Sequence, residues 1–337
     1  MQRMPESEAP TRIGFIGAGG IARRHVGTLR TVSDVEIVGI ADPDADRARA
    51  LAAEVGARAY VSHVDMLDRE ALDAAYICVP PFAHGPPERA VIDAGLPFFV
   101  EKPLSLSIGD AEAIALALEQ CDLVTAVGYH WRYMDTVDEA RRLLRDTPAR
   151  LVSGYWLDQT PPPNWWWHEA QSGGQIVEQA THVVDLARYL VGEITEVYAA
   201  ASRAEMREGF PGLDVATGTG VSLKFAGGAV GTLAATCLLR WSHRIGLHLF
   251  GDGLAIELSE REIMVDVGRG RPVRQSLEDP VALEDRDFID AVRGIPSRIR
   301  CPYREALKSH RVALAIARSA RTGSPVRIAL DGESSNA

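Results

Sequence analysis

Several features are missing from this 337-residue chain, and each absence removes a class of function. No stretch approaches the roughly 18 consecutive apolar residues that a membrane helix needs. The first ten residues place Glu6, Glu8 and two prolines where a signal peptide would be apolar. A cytoplasmic protein with no membrane partner is therefore expected. There is no Lys/Arg-rich block either: acidic residues outnumber basic ones 46 to 36, for a formal charge of −10, so nothing tracks a phosphate backbone and nucleic acid is not an expected partner. Cysteine is scarce. Cys78, Cys121, Cys237 and Cys301 stand singly, without zinc-site spacing or disulfide density, and read as small buried hydrophobes. The nine histidines contain no H-E-x-x-H or comparable ligand run, so no metal is expected.

What is present is ample core material, 46% hydrophobic residues against 24% charged, in a chain long enough for two domains. Between Thr11 and Gly128 one pattern recurs: a short apolar run, a turn, then apolar residues at helical spacing. That is the βαβ signature. Strands are expected near 12–16, 35–40, 74–79, 98–100 and 123–127, with a short one at 58–60, and helices near 21–31, 45–55, 85–93 and 108–119. Their nearly continuous apolar character suits a doubly wound parallel sheet covered on both faces.

From Tyr129 the pattern changes. A helix near 136–145, a strand near 151–157, a Pro- and Trp-rich loop and a long helix over 174–190 precede six closely spaced strands between 196 and 267. Helices near 281–293 and 303–322 close the chain. The expected fold is α/β: a Rossmann half over 11–128, then an α+β domain over 129–330 on an open, mostly antiparallel sheet. Residues 1–10 and 331–337 read as flexible tails.

Directly after the first strand stand Gly17, Ala18, Gly19, Gly20, Ile21 and Ala22, a G-x-G-x-x-A arrangement opening a helix. Gly17 permits a tight turn, Gly19 lets backbone N–H groups approach a pyrophosphate, and Ala22 lets the helix pack closely on the sheet. The helix N-terminus adds partial positive charge for the phosphates. Asp42 ends the second strand, close to where an acidic side chain accepts hydrogen bonds from the adenosine ribose. Asp44 and Asp46 follow, so a 2′-phosphate would meet negative charge, although Arg47 is near. NAD is favoured over NADP.

At the ends of later strands, where doubly wound sheets place ligands, lie Pro80, Pro81 and His84, then Glu101, Lys102 and Pro103. A lysine in such a crevice can donate to a hydroxyl or carbonyl oxygen. Along the long helix, Gln175, Glu178, His182 and Asp185 form one polar stripe facing either solvent or a wet cavity. Glu178 and His182, at i and i+4, read as an acid/base unit in which the carboxylate orients the imidazole. Trp166, with Trp156, Trp165 and Trp167, suits stacking on a sugar ring; a core or subunit-interface role is equally open. Tyr129, His130 and Arg132 are expected in the same cleft, where Arg132 either pairs with a substrate anion or braces the domain junction.

These residues together resemble the Gfo/Idh/MocA oxidoreductases, named for glucose-fructose oxidoreductase and inositol dehydrogenase. The resemblance runs nearly end to end. It rests on the Gly17, Gly19, Ala22 loop, the Pro80, Pro81, His84 stretch, the Glu101-Lys102-Pro103 tripeptide, and His182, Val183, Val184 and Asp185. It implies NAD(P) on the Rossmann half, cofactor contacts from Gly17, Gly19, Gly20, Ile21, Ala22, Asp42, Pro80, His84, Glu101 and Lys102, and an open sheet supporting homodimers or homotetramers. It also implies a sugar, inositol or other polyol substrate touched by Lys102, Tyr129, Arg132, Trp166, Glu178 and His182. Lys102 falls on the family's catalytic lysine, and Glu178 and His182 on its paired acid and histidine. The chain departs from the family in carrying Glu178 for the usual aspartate, and Ser172 and Ala180 for glycines. The expected reaction is hydride transfer between a hydroxyl-bearing carbon and the nicotinamide. Two alternatives stay open: a glycosidase or lyase that oxidises its sugar transiently with tightly held NAD, and a sensor that reads NAD without catalysis.

Overall fold

In a computed structural model, residues 9–204 and 209–330 are described; the expected tails lie almost wholly outside them. The first half is a six-stranded parallel sheet of β1 (Thr11–Ile16), β2 (Val35–Ala41), β3 (Arg58–Tyr60), β4 (Ala74–Ile77), β5 (Phe98–Val100) and β6 (Thr125–Val127). The strand order is β3-β2-β1-β4-β5-β6. All residues of β4 and β5 are buried, as strands covered on both faces must be. The covering helices are α1 (Gly20–Leu29), α2 (Ala45–Val55), α3 (His63–Arg69), α4 (Pro86–Asp93) and α5 (Ile108–Leu118). The order reverses between β1 and β4, which opens a crevice at their carboxyl ends.

Beyond β6, α6 (Asp135–Asp146) and β7 (Leu151–Gln159) lead to the tryptophan loop, then α7 (Glu169–Ser172), α8 (Gly174–Glu178) and α9 (Thr181–Val191). The sheet continues with β8 (Ile194–Ser202), β9 (Gly218–Phe225), β10 (Val230–Leu239), β11 (Arg244–Gly251), β12 (Leu254–Ser259), β13 (Glu262–Asp266) and β14 (Val273–Gln275). Two helices follow, α10 (Pro280–Val292) and α11 (Tyr303–Thr322), and a short β15 (Val326–Arg327) completes a nine-stranded sheet. Its pairings are antiparallel except β7 with β10. Residues in β9 and β10 alternate buried and exposed, so one face packs on α9 and α11 while the other stays open. No helix among the described residues is long and apolar enough to cross a membrane, and among the same residues the four cysteines form no disulfide.

Two expectations are corrected. The helix expected over 174–190 is broken. Ala180 N–H reaches back five residues to Gln175 O at 2.8 Å, and His182 N–H only three, to Gln179 O; this wide turn followed by a tight one separates α8 from α9. The second unit, expected as 129–330, is not closed on itself. Phe288 and Ile289 of α10 join Phe15, Tyr76 and Phe99 in one Rossmann core, and Cys301, Tyr303, Ala306 and Leu307 join Ile77 and Phe98 in the other. Helix α3 and strands β14 and β15 carry too few apolar positions to be read from the sequence.

Candidate active site

The turn after β1 is shaped by one glycine. Gly17 has φ +102°, its N–H donates to Ala41 O at 2.8 Å, and a Cβ there would stand 2.4 Å from the Cys78 carbonyl oxygen. Only glycine fits. Around Gly19 and Gly20 the space is open: a Cβ would meet nothing within 4 Å. No side chain caps α1, so its first N–H groups are left to a ligand or water. Ala22 is fully buried against the sheet, while Ile21 is exposed. This cradle fits a dinucleotide pyrophosphate.

Asp42 accepts from Ala18 N–H through Oδ2 and from Asp44 N–H through Oδ1, both at 2.8 Å. The carboxylate is thereby pinned beside the glycine turn. Asp44 caps α2 and also holds Arg47 at 3.0 Å, so the arginine that could welcome a 2′-phosphate already has an anionic partner.

Pro80 is half-buried at the end of β4. His84 does not face the crevice as expected. Its side chain is fully buried, with Nδ1 2.5 Å from Glu88 Oε1. Glu101 is likewise enclosed, with Oε1 3.0 Å from His25 Nε2 and Oε2 accepting from Lys102 N–H at 3.1 Å. Both residues are buried.

Lys102 leaves the end of β5 and crosses to the second unit. Its Nζ donates to Glu178 O at 2.7 Å and to Glu178 Oε1 at 2.9 Å. Trp166 Nε1–H donates to Glu178 Oε2 at 2.8 Å. The carboxylate is thus held on one side by the lysine and on the other by an indole. Glu178 does not orient His182; the break between α8 and α9 removes them from one helical face.

His182 sits among rings: Tyr129 at 5.9 Å, His130 at 4.9 Å, Trp131 at 5.7 Å and Trp156 at 6.0 Å between centroids. Among the described residues its Nδ1 has no partner. Burial, reinforced by the charges of Lys102 and His130, holds its pKa well below the usual histidine range. The imidazole is neutral at physiological pH.

Three further residues expected at the cleft are buried, Arg132 and Trp166 in the bracing and core roles that their sequence left open. Tyr129 is fully buried and its hydroxyl pairs with Thr181 Oγ1 at 2.8 Å. Arg132, 1% exposed, grips Asp185 with two bonds of 2.7 Å and also reaches Arg300 O and Glu305. It braces α9 against the chain that leads into α11. Trp166 is 1% exposed and packs with Val215 and Cys237, so its ring is not a platform for a sugar. The polar stripe is divided among separate partners, since Gln175 binds Thr236 O and Asp185 is taken by Arg132.

The fold assembles one group that no local spacing announces: atoms of His25, Glu101 and Glu284 lie within 4.8 Å of one another, all buried. Their sequence separation hid them. Both His25 nitrogens already engage carboxylates, Nδ1 meeting Asp285 at 2.7 Å.

The comparisons with known proteins agree with this architecture. A family model described as "Oxidoreductase family, NAD-binding Rossmann fold" matches residues 11–129, and the GFO/IDH/MocA C-terminal domain matches 148–257. The chain belongs to the Gfo/Idh/MocA oxidoreductase family. Its amino-terminal half is the NAD-binding Rossmann fold of that family. A similar Gfo/Idh/MocA relative is the scyllo-inositol 2-dehydrogenase (NAD(+)) of Bacillus subtilis, 25% identical, with 95% of this chain and 97% of the relative covered. Among solved structures, levoglucosan dehydrogenase with NADH superposes with a TM-score of 0.83 at 20% identity, over 95% of this chain and 99% of that one. The WlbA dehydrogenase of Bordetella pertussis, with NADH and UDP-GlcNAcA, gives a TM-score of 0.83 at 24% identity, over 96% and 100%. At these identities the superpositions speak for a shared fold.

Proposed function

We propose that the protein is an NAD-dependent dehydrogenase of the cytoplasm that oxidises a CH–OH group of a sugar, inositol or related polyol and works as a homo-oligomer. The observation that carries the reading is the meeting of Lys102, from the end of a Rossmann strand, with Glu178 and the neighbourhood of His182 from the second unit. The names of the inositol and levoglucosan dehydrogenases support the polyol class.

Gly17, Gly19, Gly20 and the start of α1 would hold the pyrophosphate, Asp42 the adenosine ribose, and Pro80 would border the crevice. When bound, NAD supplies the acceptor for the electron pair leaving the oxidised carbon. Neutral His182 takes the hydroxyl proton at Nε2, because Nδ1 is sealed without a partner. Lys102 Nζ donates to the same oxygen and stabilises the negative charge that develops there. Glu178 and Trp166 fix where Nζ stands.

Purified protein mixed with NAD and a panel of inositols, aldoses and sugar acids should show absorbance of NADH rising in step with product. Lys102→Ala and His182→Ala should each lower kcat by about 10²-fold or more while NADH still binds. Unchanged turnover in both variants removes the assignment, and product formation at constant absorbance replaces it with the redox-neutral glycosidase reading.

A further inference from the structure

A buried histidine outside the substrate site connects three elements that the reaction needs in register. We propose that His25 is a positioning residue for Lys102: clamped between Glu101 and Asp285, it ties the lysine loop to helix α1 of the glycine turn and to helix α10. The proposal rests on Lys102 being the group that binds the reacting oxygen.

The clamp is a continuous chain of bonds. Asp285 Oδ1 lies 2.7 Å from His25 Nδ1, His25 Nε2 lies 3.0 Å from Glu101 Oε1, and Glu101 Oε2 accepts the backbone N–H of Lys102 at 3.1 Å. Only an imidazole protonated at both nitrogens donates to two carboxylates at once. His25 is fully buried and Asp285 fully so, with Glu101 at 3% exposure. Glu101 is also fixed from behind: a Cβ on Gly128 would stand 2.4 Å from Oε1, so the carboxylate rests on a bare Cα. Apolar side chains of similar volume would stabilise such a spot as well or better. What the charged chain adds is geometry at Lys102.

The groups around His25 come from every element packed on it. Asp285 and Glu284 come from α10, Glu101 from the loop after β5, Tyr76 and Phe99 from the sheet, at 5.5 and 4.8 Å between ring centroids, and Lys102 and His130 stand beyond Glu101. Burial alone would lower the His25 pKa; the charges and bonds of Asp285 and Glu101 outweigh it and hold the value well above the usual range. Burial pushes the Glu284 carboxyl well up, against the opposing charge of His25. A raised histidine pKa means the clamp is fully formed below pH about 6.5 and is lost as pH rises through the raised value.

The test uses the full-length, NAD-loaded protein and its three lysines, Lys102, Lys224 and Lys308. Lysine-selective 15N labelling gives three backbone amide signals, which Lys224→Arg and Lys308→Arg assign. In the wild type the Lys102 amide is expected to titrate on the alkaline side, and 15N-histidine spectra at pH 8 should contain a ring protonated at both nitrogens that His25→Gln removes. Asp285→Asn should move the Lys102 titration down by about one pH unit or more. The alkaline limb of kcat should move with it, KM for NAD staying within about twofold. His25→Gln should lower kcat by about tenfold or more.

Four results would overturn the proposal: a Lys102 amide insensitive to pH, no doubly protonated ring in the wild type, an Asp285→Asn protein that melts lower with its kcat limb unmoved, or a stoichiometric divalent cation in the purified protein that His25→Gln releases. The spectra need no turnover. A protein that oxidises no sugar but shows the linked titration refutes the proposed activity and leaves the clamp standing.

Discussion

Glu178 shows how one methylene redistributes a site. Its reach lets a single carboxylate meet both Lys102 Nζ and Trp166 Nε1, so the indole becomes part of what places the lysine. Trp166→Phe keeps the ring in its pocket with Val215 and Cys237 but deletes the donor. A hydrogen bond to a charged group contributes about 1.5 to 3 kcal/mol, and Glu178 is mostly shielded from solvent. Steady-state kinetics should therefore show kcat lowered by about tenfold with NADH affinity unchanged; equal kcat would mean the lysine alone orients the carboxylate. At this scale the sequence was legible where the signal is local. Gly17 and Gly19 share one turn and Asp42 stands directly after the next strand, a spacing that can be read without the fold. For Tyr129, Arg132 and Trp166 nothing within a few residues tells that Thr181, Asp185 and Glu178 close over their polar atoms.

Among the elements, the β1 to α1 turn and the α8 to α9 break shape the candidate site. The turn is the more constrained. Gly17→Ala would force a positive φ on an L side chain and drive its Cβ against the Cys78 carbonyl, for a loss of about 1 to 3 kcal/mol. A lower Tm accompanied by weakened NADH fluorescence titration is expected; a lower Tm with intact binding would show that the cradle tolerates the strain. The break was invisible in the sequence for a physical reason. Residues 174–190 keep apolar spacing throughout, and no proline or internal glycine interrupts residues 175–191. The interruption is written in bonds of five and three residues around Ala180, which periodicity averages away. The parallel pairing of the first sheet, by contrast, follows from βαβ repetition, and the alternation in β9 and β10 follows from having one covered face.

For the molecule as a whole, buried histidines add to the response to acid. Burial lowers the pKa of His310 to about 3 and that of His182 well below the usual range. Each folded value lies below the unfolded value of about 6.5, so the stability they contribute is present above that pH and is lost as pH falls toward the folded values. Each such site steepens the loss by up to about 1.4 kcal/mol per pH unit, while His25 acts in the opposite direction. Thermal unfolding from pH 7 down to pH 4.5 should show a steep decline in Tm that His310→Leu flattens; an unaltered slope would mean His310 finds a proton acceptor when charged.

The return of α10 and the first turns of α11 into the Rossmann cores also bears on how the chain is made. While a ribosome is still translating, the nucleotide half lacks Phe288 and Tyr303, whose rings meet Tyr76 and Phe98 edge-on, and with them Ile289 and Leu307. Its interior can be sealed only when nearly the whole polypeptide has emerged, so a message cut short anywhere before codon 280 yields an amino-terminal half with open seams, prey to proteases and holdases, however complete its glycine loop.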